Sequence, residues 1–228
     1  SLVDNLIRQG AIVMATDIKL NNLLKLIKRR KWKEESIKYF KCDIKDEQQV
    51  KNLFKLIKSQ ITRLDGLVCN AGIAVFEHFL KRTSSSFDEV VNVNMRGLFY
   101  FIREFIKYKN RSKDKSVIVN IASHYGLVAP DLNIYSDTKR MSSEIYGASK
   151  AGIIQMTRYF AVNALKYGVR TNSVSPGGIQ DNDNILGEKP TQKVIQGVNF
   201  RKKYNNRCPM GRLAKVQEVV DPILFLLS

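Results

Sequence analysis

The sequence predicts an α/β protein with a doubly wound parallel sheet, arranged as three α/β/α layers. Two observations support this prediction. Short apolar segments alternate with longer segments of helical periodicity along all 228 residues, without a break in composition. The short segments are apolar on both faces, which is typical of parallel strands that are covered by helices on either side. We therefore expect one domain, residues 1–228.

The first half of the chain alternates three helical segments with three strands. Leu2, Leu6 and Ile7 share one helical face, and Gly10 ends this first helix. Two further segments place leucines on one face and lysines on the other, which predicts amphipathic helices. The predicted elements are the helices 2–9, 20–31 and 47–60 and the strands 11–16, 36–41 and 66–69.

The second half continues the alternation with longer connections. A run of strand length, Ser-Val-Ile-Val-Asn-Ile-Ala, is followed later by a long apolar helix that ends at Gly168. The predicted elements are a loop 70–86, helix 87–108, strand 116–122, a polar loop to about residue 143, helix 146–167, strand 169–174, an irregular stretch 176–214 and helix 216–227. Right-handed crossovers would bring the carboxyl ends of the strands to one edge.

Polar residues end or follow the predicted strands on that edge, where open parallel sheets bind their ligands. They are Asp17, Asp43, Asn70, Ser123 and Ser175. An acid at the end of a strand, such as Asp17, can accept hydrogen bonds from ribose hydroxyls and repel a 2′-phosphate, which favours NAD over NADP. The alternative is that Asp17 and Asp43 cap the helices that follow them.

A tyrosine and a lysine four residues apart, Tyr146 and Lys150, lie on one face of a predicted helix. A nearby ammonium group stabilises a phenolate, which makes the phenol a usable general acid and base. The spacing alone is weak evidence, because the chain contains a second such pair, Tyr135 and Lys139.

Several motifs, in order along the chain, resemble those of the short-chain dehydrogenase/reductase family. They are Cys69-Asn-Ala-Gly72, Val91-Asn-Val-Asn-Met-Arg-Gly97, Ile121-Ala-Ser-His-Tyr-Gly126, Tyr146-Gly-Ala-Ser-Lys150 and Asn172-Ser-Val-Ser-Pro-Gly-Gly178. The resemblance implies a Rossmann fold and an NAD(P)-dependent oxidoreductase that interconverts a secondary alcohol and a ketone. The chain is also similar to family members from bacterial surface-sugar and flagellin-modification pathways.

The resemblance assigns four catalytic roles. It implies that Tyr146 exchanges a proton with the substrate, that Lys150 assists it and holds the nicotinamide ribose, and that Ser123 hydrogen-bonds the substrate oxygen. Asn94 would order a water that connects Lys150 to solvent. The structural alternatives are that Ser123 is a turn residue and that Asn94 is a buried polar group satisfied by the backbone. The implied substrate contacts are Ser123, His124 and Tyr146.

The implied cofactor is NAD. Its implied contacts are Asp17, Asp43, Ile44, Asn70, Ala71, Gly72, Tyr146, Lys150, Pro176, Gly177 and Ile179. No metal site is expected, because the three cysteines are too few and too scattered to bind zinc. The family's glycine-rich loop, its first strand and its last strand have no counterpart here. The resemblance therefore implies an internal piece of a longer chain, truncated at both ends, that binds its cofactor weakly or not at all and can be inactive by itself.

The two Tyr–Lys pairs have to be distinguished. The usual family separation from Ser123 favours Tyr135. The apolar periodicity of a core helix, however, runs through residues 148–164 and not through residues 137–143, which favours Tyr146. Residues 130–144 are then an insertion beside the site, and we expect Tyr135 in a mobile loop.

Residues 179–212 form a predicted substrate loop that is polar and basic. Its basic side chains are Arg201, Lys202, Lys203, Arg207 and Arg212. They fit a polar, sugar-derived substrate, and ordinary solvated side chains are the alternative. The second candidate enzyme is a 3-oxoacyl-thioester reductase, although Asp17 argues against the NADPH that such enzymes usually take. The candidate of another class is a catalytically silent Rossmann scaffold for nucleotide sensing or partner binding.

The net charge of +17 comes mainly from lysines among leucines on helix faces, without a basic stripe of interleaved aromatic residues, so no nucleic-acid partner is expected. No apolar run reaches the roughly 18 residues of a membrane span. The few cysteines indicate a cytoplasmic protein. Helices 87–108 and 146–167 are apolar around much of their circumference, which predicts a homodimer or homotetramer.

Overall fold

The computed structural model describes residues 1–109, 114–135, 142–180 and 198–228. The strands of these residues are β1 (Val13–Asp17), β2 (Ile37–Lys41), β3 (Gly66–Cys69), β4 (Ser116–Ile121) and β5 (Val169–Val174). The helices are α1 (Leu2–Arg8), α2 (Leu20–Arg30), α3 (Glu47–Gln60), α4 (Ser84–Val91), α5 (Leu98–Lys109), α6 (Glu144–Asn163), α7 (Val198–Arg207) and α8 (Val216–Leu227).

The strands pair in parallel. β1 pairs with β2, with Val13 opposite Ile37. β4 lies between β3 and β5 in a second parallel group, with Gly66 of β3 opposite Val117 of β4. Helices connect successive strands, so the observed architecture confirms the predicted doubly wound α/β fold.

The core lies on both faces of β4. On one face, Ile118 belongs to a buried cluster with Phe105 of α5 and Ile153 of α6. On the other face, Val119 packs with Ile223 of α8. Burying each such side chain stabilises the fold by about 1.5–3 kcal/mol relative to its exposure. The two clusters place helical layers on both sides of the sheet, as predicted.

Two long helices differ from their predicted bounds at their starts. The helix predicted at 87–108 already begins at Ser84, because the Thr83 side chain accepts a hydrogen bond from the Ser86 amide and caps the first turn. It is interrupted by a π-helical turn, Asn92–Gly97, between α4 and α5. Similarly, Ser143 caps α6, so this helix begins at Glu144 and not at Tyr146.

The prediction of an irregular stretch over residues 176–214 is wrong in part, because α7 lies within it. The apolar face of this helix consists of Phe200 and Tyr204, which lie one turn apart. Two residues are too few to show helical periodicity in the sequence, so the sequence does not predict this helix. Residues 181–197 of the predicted substrate loop lie outside the described residues.

Within the described ranges, no helix combines the length and the apolar character that a bilayer-spanning segment needs. The same residues contain no group of three or more His, Cys, Asp or Glu side chains placed to bind a metal ion. Cys42, Cys69 and Cys208 are free thiols.

Candidate active site

The carboxyl ends of β4 and β5 bring two of the predicted site segments together. The Ala122 amide donates to the Val174 carbonyl at 2.8 Å, which continues the pairing of the two strands. The His124 amide then donates to the Pro176 carbonyl at 3.0 Å. Ser123 and His124 are thereby held beside the Pro176–Gly177 segment, as the sequence predicts.

Lys150 is a buried cation, 5% exposed, on the inner face of α6. Its Nζ donates a hydrogen bond to the Ile121 carbonyl at 2.8 Å and lies 5.7 Å from the ring centroid of Tyr146. Burial lowers the pKa of Lys150 from its ordinary value to about 8. At neutral pH the side chain therefore remains an ammonium, directed at the end of β4 and at the half-buried ring of Tyr146.

Two glycines let the loop after β4 pack directly on the backbone of α6. A Cβ atom at Gly126 would lie 2.7 Å from the carbonyl carbon of Lys150, and one at Gly147 would lie 3.0 Å from the Tyr125 carbonyl oxygen. The contact at Gly126 leaves no room for a side chain, and the one at Gly147 would require its neighbour to move by a few tenths of an ångström. The loop that carries Ser123 is thus seated on the same turn of α6 that carries Lys150.

Ser123 is buried, and its Oγ accepts a hydrogen bond from the Tyr125 amide at 3.2 Å. This is the cap of a short 3-10 turn, so the structural role expected for Ser123 is present. A hydroxyl that accepts in this way keeps its own hydrogen for donation. The geometry is therefore compatible with both interpretations of Ser123.

Asn94 is completely buried in the π-helical turn and joins three elements. Its Oδ1 accepts from the Ile73 amide at 2.8 Å, and its Nδ2 donates to the Ile73 carbonyl at 3.0 Å and to Ser149 Oγ at 2.9 Å. Ser149 in turn donates to the Tyr146 carbonyl at 2.8 Å. The side chain is satisfied within the protein, as the structural alternative predicts, and the water-ordering role of Asn94 stays a prediction.

The Asn70–Gly72 segment after β3 completes this part of the site. A Cβ atom at Gly72 would lie 3.3 Å from Asn94 Oδ1 and 3.4 Å from Lys150 Nζ. The backbone at Gly72 therefore lies directly against both predicted catalytic side chains. Asn70 and Ala71 precede it as exposed residues at the end of β3.

Asp17 and Asp43 do not cap the helices that follow them, so the capping role considered for them from the sequence is wrong. Asp17 is exposed at the end of β1, and one of its carboxylate oxygens accepts from the Lys19 amide at 2.6 Å, but α2 has no side-chain cap. Asp43 accepts from the Lys45 amide at 2.9 Å, and α3 is capped by Asp46 instead. Both acids stand at the strand ends where a ligand would bind.

Two predicted cofactor contacts, Ile44 and Ile179, are fixed by close packing or pairing. A Cβ atom at Gly97 would lie 2.7 Å from the Ile44 side chain. The loop that carries Ile44 is therefore packed closely against the π-helical turn. Ile179 forms a parallel bridge with Ala214. The segment that follows Pro176 and Gly177 is therefore anchored to the chain just before α8.

Aromatic side chains border the site on its other side, between the insertion and α7. The hydroxyls of Tyr125 and Tyr135 share a hydrogen bond with 3.0 Å between their oxygens. The Tyr135 ring lies 5.3 Å from that of Phe200, and Phe200 lies 5.8 Å from Tyr204. The Tyr204 hydroxyl accepts a hydrogen bond from the Gly178 amide. Below we refer to Tyr125, Tyr135, Phe200 and Tyr204 as the aromatic wall.

The expectation of a loosely placed Tyr135 is wrong. Tyr135 is 9% exposed in the 3-10 turn Leu132–Tyr135, and an ion pair between Asp131 and Arg207 joins this segment to α7. Burial, together with the hydrogen bond from Tyr135, raises the pKa of Tyr125 above its ordinary value, so that phenol stays neutral. Lys139, the second member of that Tyr–Lys pair, lies outside the described residues.

Sequence reasoning missed the residues that support the site without being part of it. Gly126, Gly147, Ser149 and Ile73 fix the positions of the predicted catalytic side chains through the contacts described above. A usable signal existed for three of them, because Gly147 and Ser149 lie between Tyr146 and Lys150 and Gly126 closes the motif after β4.

Comparisons with known proteins identify the family of this chain. The family model described as enoyl-(acyl carrier protein) reductase matches residues 1–228. A 3-oxoacyl-(acyl-carrier-protein) reductase from Thermotoga maritima is 31% identical over 221 residues, which cover 97% of this chain and 82% of that protein. A sorbitol-6-phosphate 2-dehydrogenase from Klebsiella pneumoniae is 27% identical over 243 aligned residues, which cover 100% and 84% of the two chains.

Among solved structures, a short-chain dehydrogenase from Leptospira borgpetersenii with bound NAD⁺ superposes with a TM-score of 0.83. It is 31% identical, and the match covers 100% of this chain and 80% of that one. The sequence matches and the fold match agree with each other. The chain belongs to the short-chain dehydrogenase/reductase family of oxidoreductases, which act on CH–OH groups and ketones.

Proposed function

We propose that this protein is an NAD(H)-dependent oxidoreductase that interconverts a secondary alcohol and a ketone on a polar, sugar-derived substrate. The observation that carries the proposal is the buried ammonium of Lys150, one helical turn after Tyr146, beneath the loop of Ser123. This is the arrangement that a phenol needs in order to exchange a proton with a substrate oxygen.

In the proposed reaction, Tyr146 is the proton donor and acceptor. In the direction of reduction its hydroxyl gives its proton to the carbonyl oxygen, and in the direction of oxidation the phenolate takes the proton back. The Lys150 ammonium, which remains protonated at neutral pH, stabilises the phenolate electrostatically. Ser123 donates its hydroxyl hydrogen to the same substrate oxygen, where negative charge develops.

A bound nicotinamide coenzyme would supply or accept the hydride at the substrate carbon. The donor set present fits such a group, because the exposed Asp17 carboxylate can accept hydrogen bonds from ribose hydroxyls and the Lys150 ammonium can donate to them. The residues proposed to hold it are Asp17, Asp43, Ile44, Asn70, Ala71, Gly72, Tyr146, Lys150, Pro176, Gly177 and Ile179.

The proposed preference for NAD(H) rests on Asp17. Its second carboxylate oxygen can accept from a ribose hydroxyl, whereas a 2′-phosphate would meet a like charge. The purified protein should show a lower KM for NAD(H) than for NADP(H), and Asp17→Ala should narrow that difference. Lys19→Ala, next to Asp17 but without a carboxylate, is the control. Equal use of both coenzymes by the wild type would overturn the assignment.

The proposed substrate is polar and rich in hydroxyl groups. The sorbitol-6-phosphate relative supports this class, as does the ring of His124 beside the site. Its Nδ1 lies 3.1 Å from the Pro176 carbonyl oxygen and donates in that bond, because a carbonyl can only accept, which leaves Nε2 as the ring nitrogen for a substrate hydroxyl. Arg207 and Arg212 are paired with Asp131 and Glu218, which argues against a phosphate at those two arginines.

A 3-oxoacyl-thioester reductase remains the second candidate, because the Thermotoga maritima relative at 31% identity is named for that reaction. The two candidates separate in one assay. Turnover of polyols or ketoses above that of acetoacetyl thioesters supports the sugar-derived substrate, and the reverse order supports the alternative. A silent scaffold is not retained, since the chain belongs to a family of oxidoreductases.

We also propose that the protein forms a homodimer or homotetramer in the cytoplasm. Large apolar side chains are exposed on α5 and α6, among them Phe99 at 38%, Tyr159 at 60% and Val162 at 75%. Helix pairs from two subunits would cover them. Light scattering at micromolar concentration should report two or four subunits, and Val162→Glu should shift the protein toward the monomer. A strictly monomeric wild type would contradict this proposal.

A further inference from the structure

Arg82 lies between the loop that follows β3 and the first turn of α6. Its Nε donates to Glu144 Oε1 at 2.8 Å, and Nη2 approaches Glu144 Oε2 at 3.4 Å. On the other side, Nη1 donates to Glu77 Oε2 at 3.0 Å and Nη2 donates to the Glu77 carbonyl at 2.9 Å. One guanidinium thus bridges two carboxylates from distant parts of the chain.

The guanidinium of this cluster is buried, although the Glu144 side chain is 47% exposed. The Arg82 side chain is 7% exposed, and Glu77 also accepts a hydrogen bond from Ser86 Oγ at 2.7 Å. The planar fork of arginine fixes both distance and orientation at each carboxylate, which a lysine does not. Arg82 therefore ties three segments together: its own loop, the start of α4 through Ser86, and the start of α6 through Glu144.

The start of α6 matters because the proposed catalytic phenol is there. Glu144 is the first residue of α6 and precedes Tyr146 by two positions. The first turn of a helix lacks backbone partners for its amides and frays unless side chains hold it. Ser143 supplies such a partner, with its Oγ accepting from the Tyr146 amide, and Arg82 holds the same turn in another way, by donating to the Glu144 carboxylate.

We propose that Arg82 is a positioning residue, which acts through Glu144 to fix the first turn of α6 and thereby the orientation of Tyr146. The inference rests on the proposed role of Tyr146 as the proton donor. It assigns to Arg82 an effect on turnover without contact to substrate or coenzyme. A small misplacement of a reacting group can cost up to about a hundredfold in rate.

Arg103 is a matched control within the same chain. Its guanidinium also joins two glutamates, at 2.8 Å to Glu47 of α3 and at 2.9 Å to Glu104 of α5, and its side chain is 26% exposed. Removing either arginine therefore deletes a comparable two-carboxylate cluster. Only the Arg82 cluster includes the helix turn that carries Tyr146.

The first test compares steady-state kinetics of Arg82→Gln, Arg82→Lys and Arg103→Gln. We expect Arg82→Gln to lower kcat by about ten- to a hundredfold with little change in KM for the coenzyme. Arg82→Lys should recover part of this loss, because one charge-assisted contact to Glu144 survives. Arg103→Gln should leave kcat within about twofold of the wild type. Equal effects of Arg82→Gln and Arg103→Gln on kcat would overturn the proposal.

The second test does not depend on turnover. Hydrogen–deuterium exchange of the peptide 142–150 should be faster in Arg82→Gln and unchanged in Arg103→Gln. Glu144→Ala should reproduce the effect, and the double variant should be no worse than either single one, since both break the same contact. Unchanged exchange in Arg82→Gln, or fully additive effects, would refute the role of Arg82. If the wild type shows no turnover, the proposed function is refuted. The exchange data would then still test whether Arg82 fixes the first turn of α6.

Discussion

The two sides of the candidate site are held by different kinds of contact. On the side of α6, the hydrogen bonds of Asn94, Ser149 and Lys150 end on backbone atoms or on one another, and glycines bring the backbones together. On the other side, the aromatic wall is held mainly by contacts between side chains, namely rings, one hydroxyl pair and an ion pair, with a single backbone contact from the Gly178 amide to the Tyr204 hydroxyl. The first side is fixed by the fold itself, whereas the second can change its side chains without disturbing the sheet.

The largest effect on turnover should come from a substitution on the α6 side of the site. Tyr146→Phe removes the proposed general acid but keeps the ring beside Lys150, so kcat should fall by about 10²–10⁴ while the fold persists. Steady-state kinetics measure the loss, and circular dichroism checks the fold. Turnover that survives in Tyr146→Phe and disappears in Tyr135→Phe would show that the second Tyr–Lys pair is the catalytic one.

An effect on stability should follow from the packing on α6. Gly126→Ala places a methyl group 2.7 Å from backbone that cannot move aside, which we expect to cost about 1–3 kcal/mol of unfolding free energy. The control is Gly152→Ala on the same helix, where the added methyl meets only the flexible side chain of Met95. Urea denaturation measures both. A loss in Gly126→Ala no larger than in the control would mean that the loop is not fixed by this contact.

The smallest effect should come from the aromatic wall. Tyr135→Phe removes one hydroxyl, bonded to Tyr125, and keeps the ring against Phe200. A neutral hydrogen bond is worth about 0.5–1.5 kcal/mol, so KM for the substrate should change by about two- to tenfold with kcat preserved. Phe200→Leu, which removes a ring and no hydrogen bond, separates the two contributions. A large loss of kcat in Tyr135→Phe would place the wall within the proton-transfer machinery.

The difference between the α6 side and the aromatic wall also explains which parts of the structure could be predicted from the sequence. Strands and amphipathic helices follow from periodicity, and α3, β3, β5 and α8 have the predicted bounds. The residues around Lys150 could be recognised because they stand in short motifs that resemble those of the family, with glycines at fixed positions such as Gly126 and Gly147. The contacts of Tyr135 with α7 could not, because they join segments far apart in the chain through side chains that have no required identity. The partnership of Arg82 with Glu144 was hidden for the same reason.

The π-helical turn at Asn92–Gly97 also corrects the rotation of a long helix. Val90, Asn94, Leu98 and Ile102 are all buried and follow one another at intervals of four. In a regular α-helix, with 100° per residue, three such intervals would carry the last side chain about 120° away from the first. The wider turn takes up the surplus residue and keeps all four on one face. Deleting a single residue of this turn would therefore restore an unbroken α-helix in which Ile102 lies only about 20° from Val90. The apolar face would survive, and the loss would fall on the local geometry that holds Asn94 against Ile73.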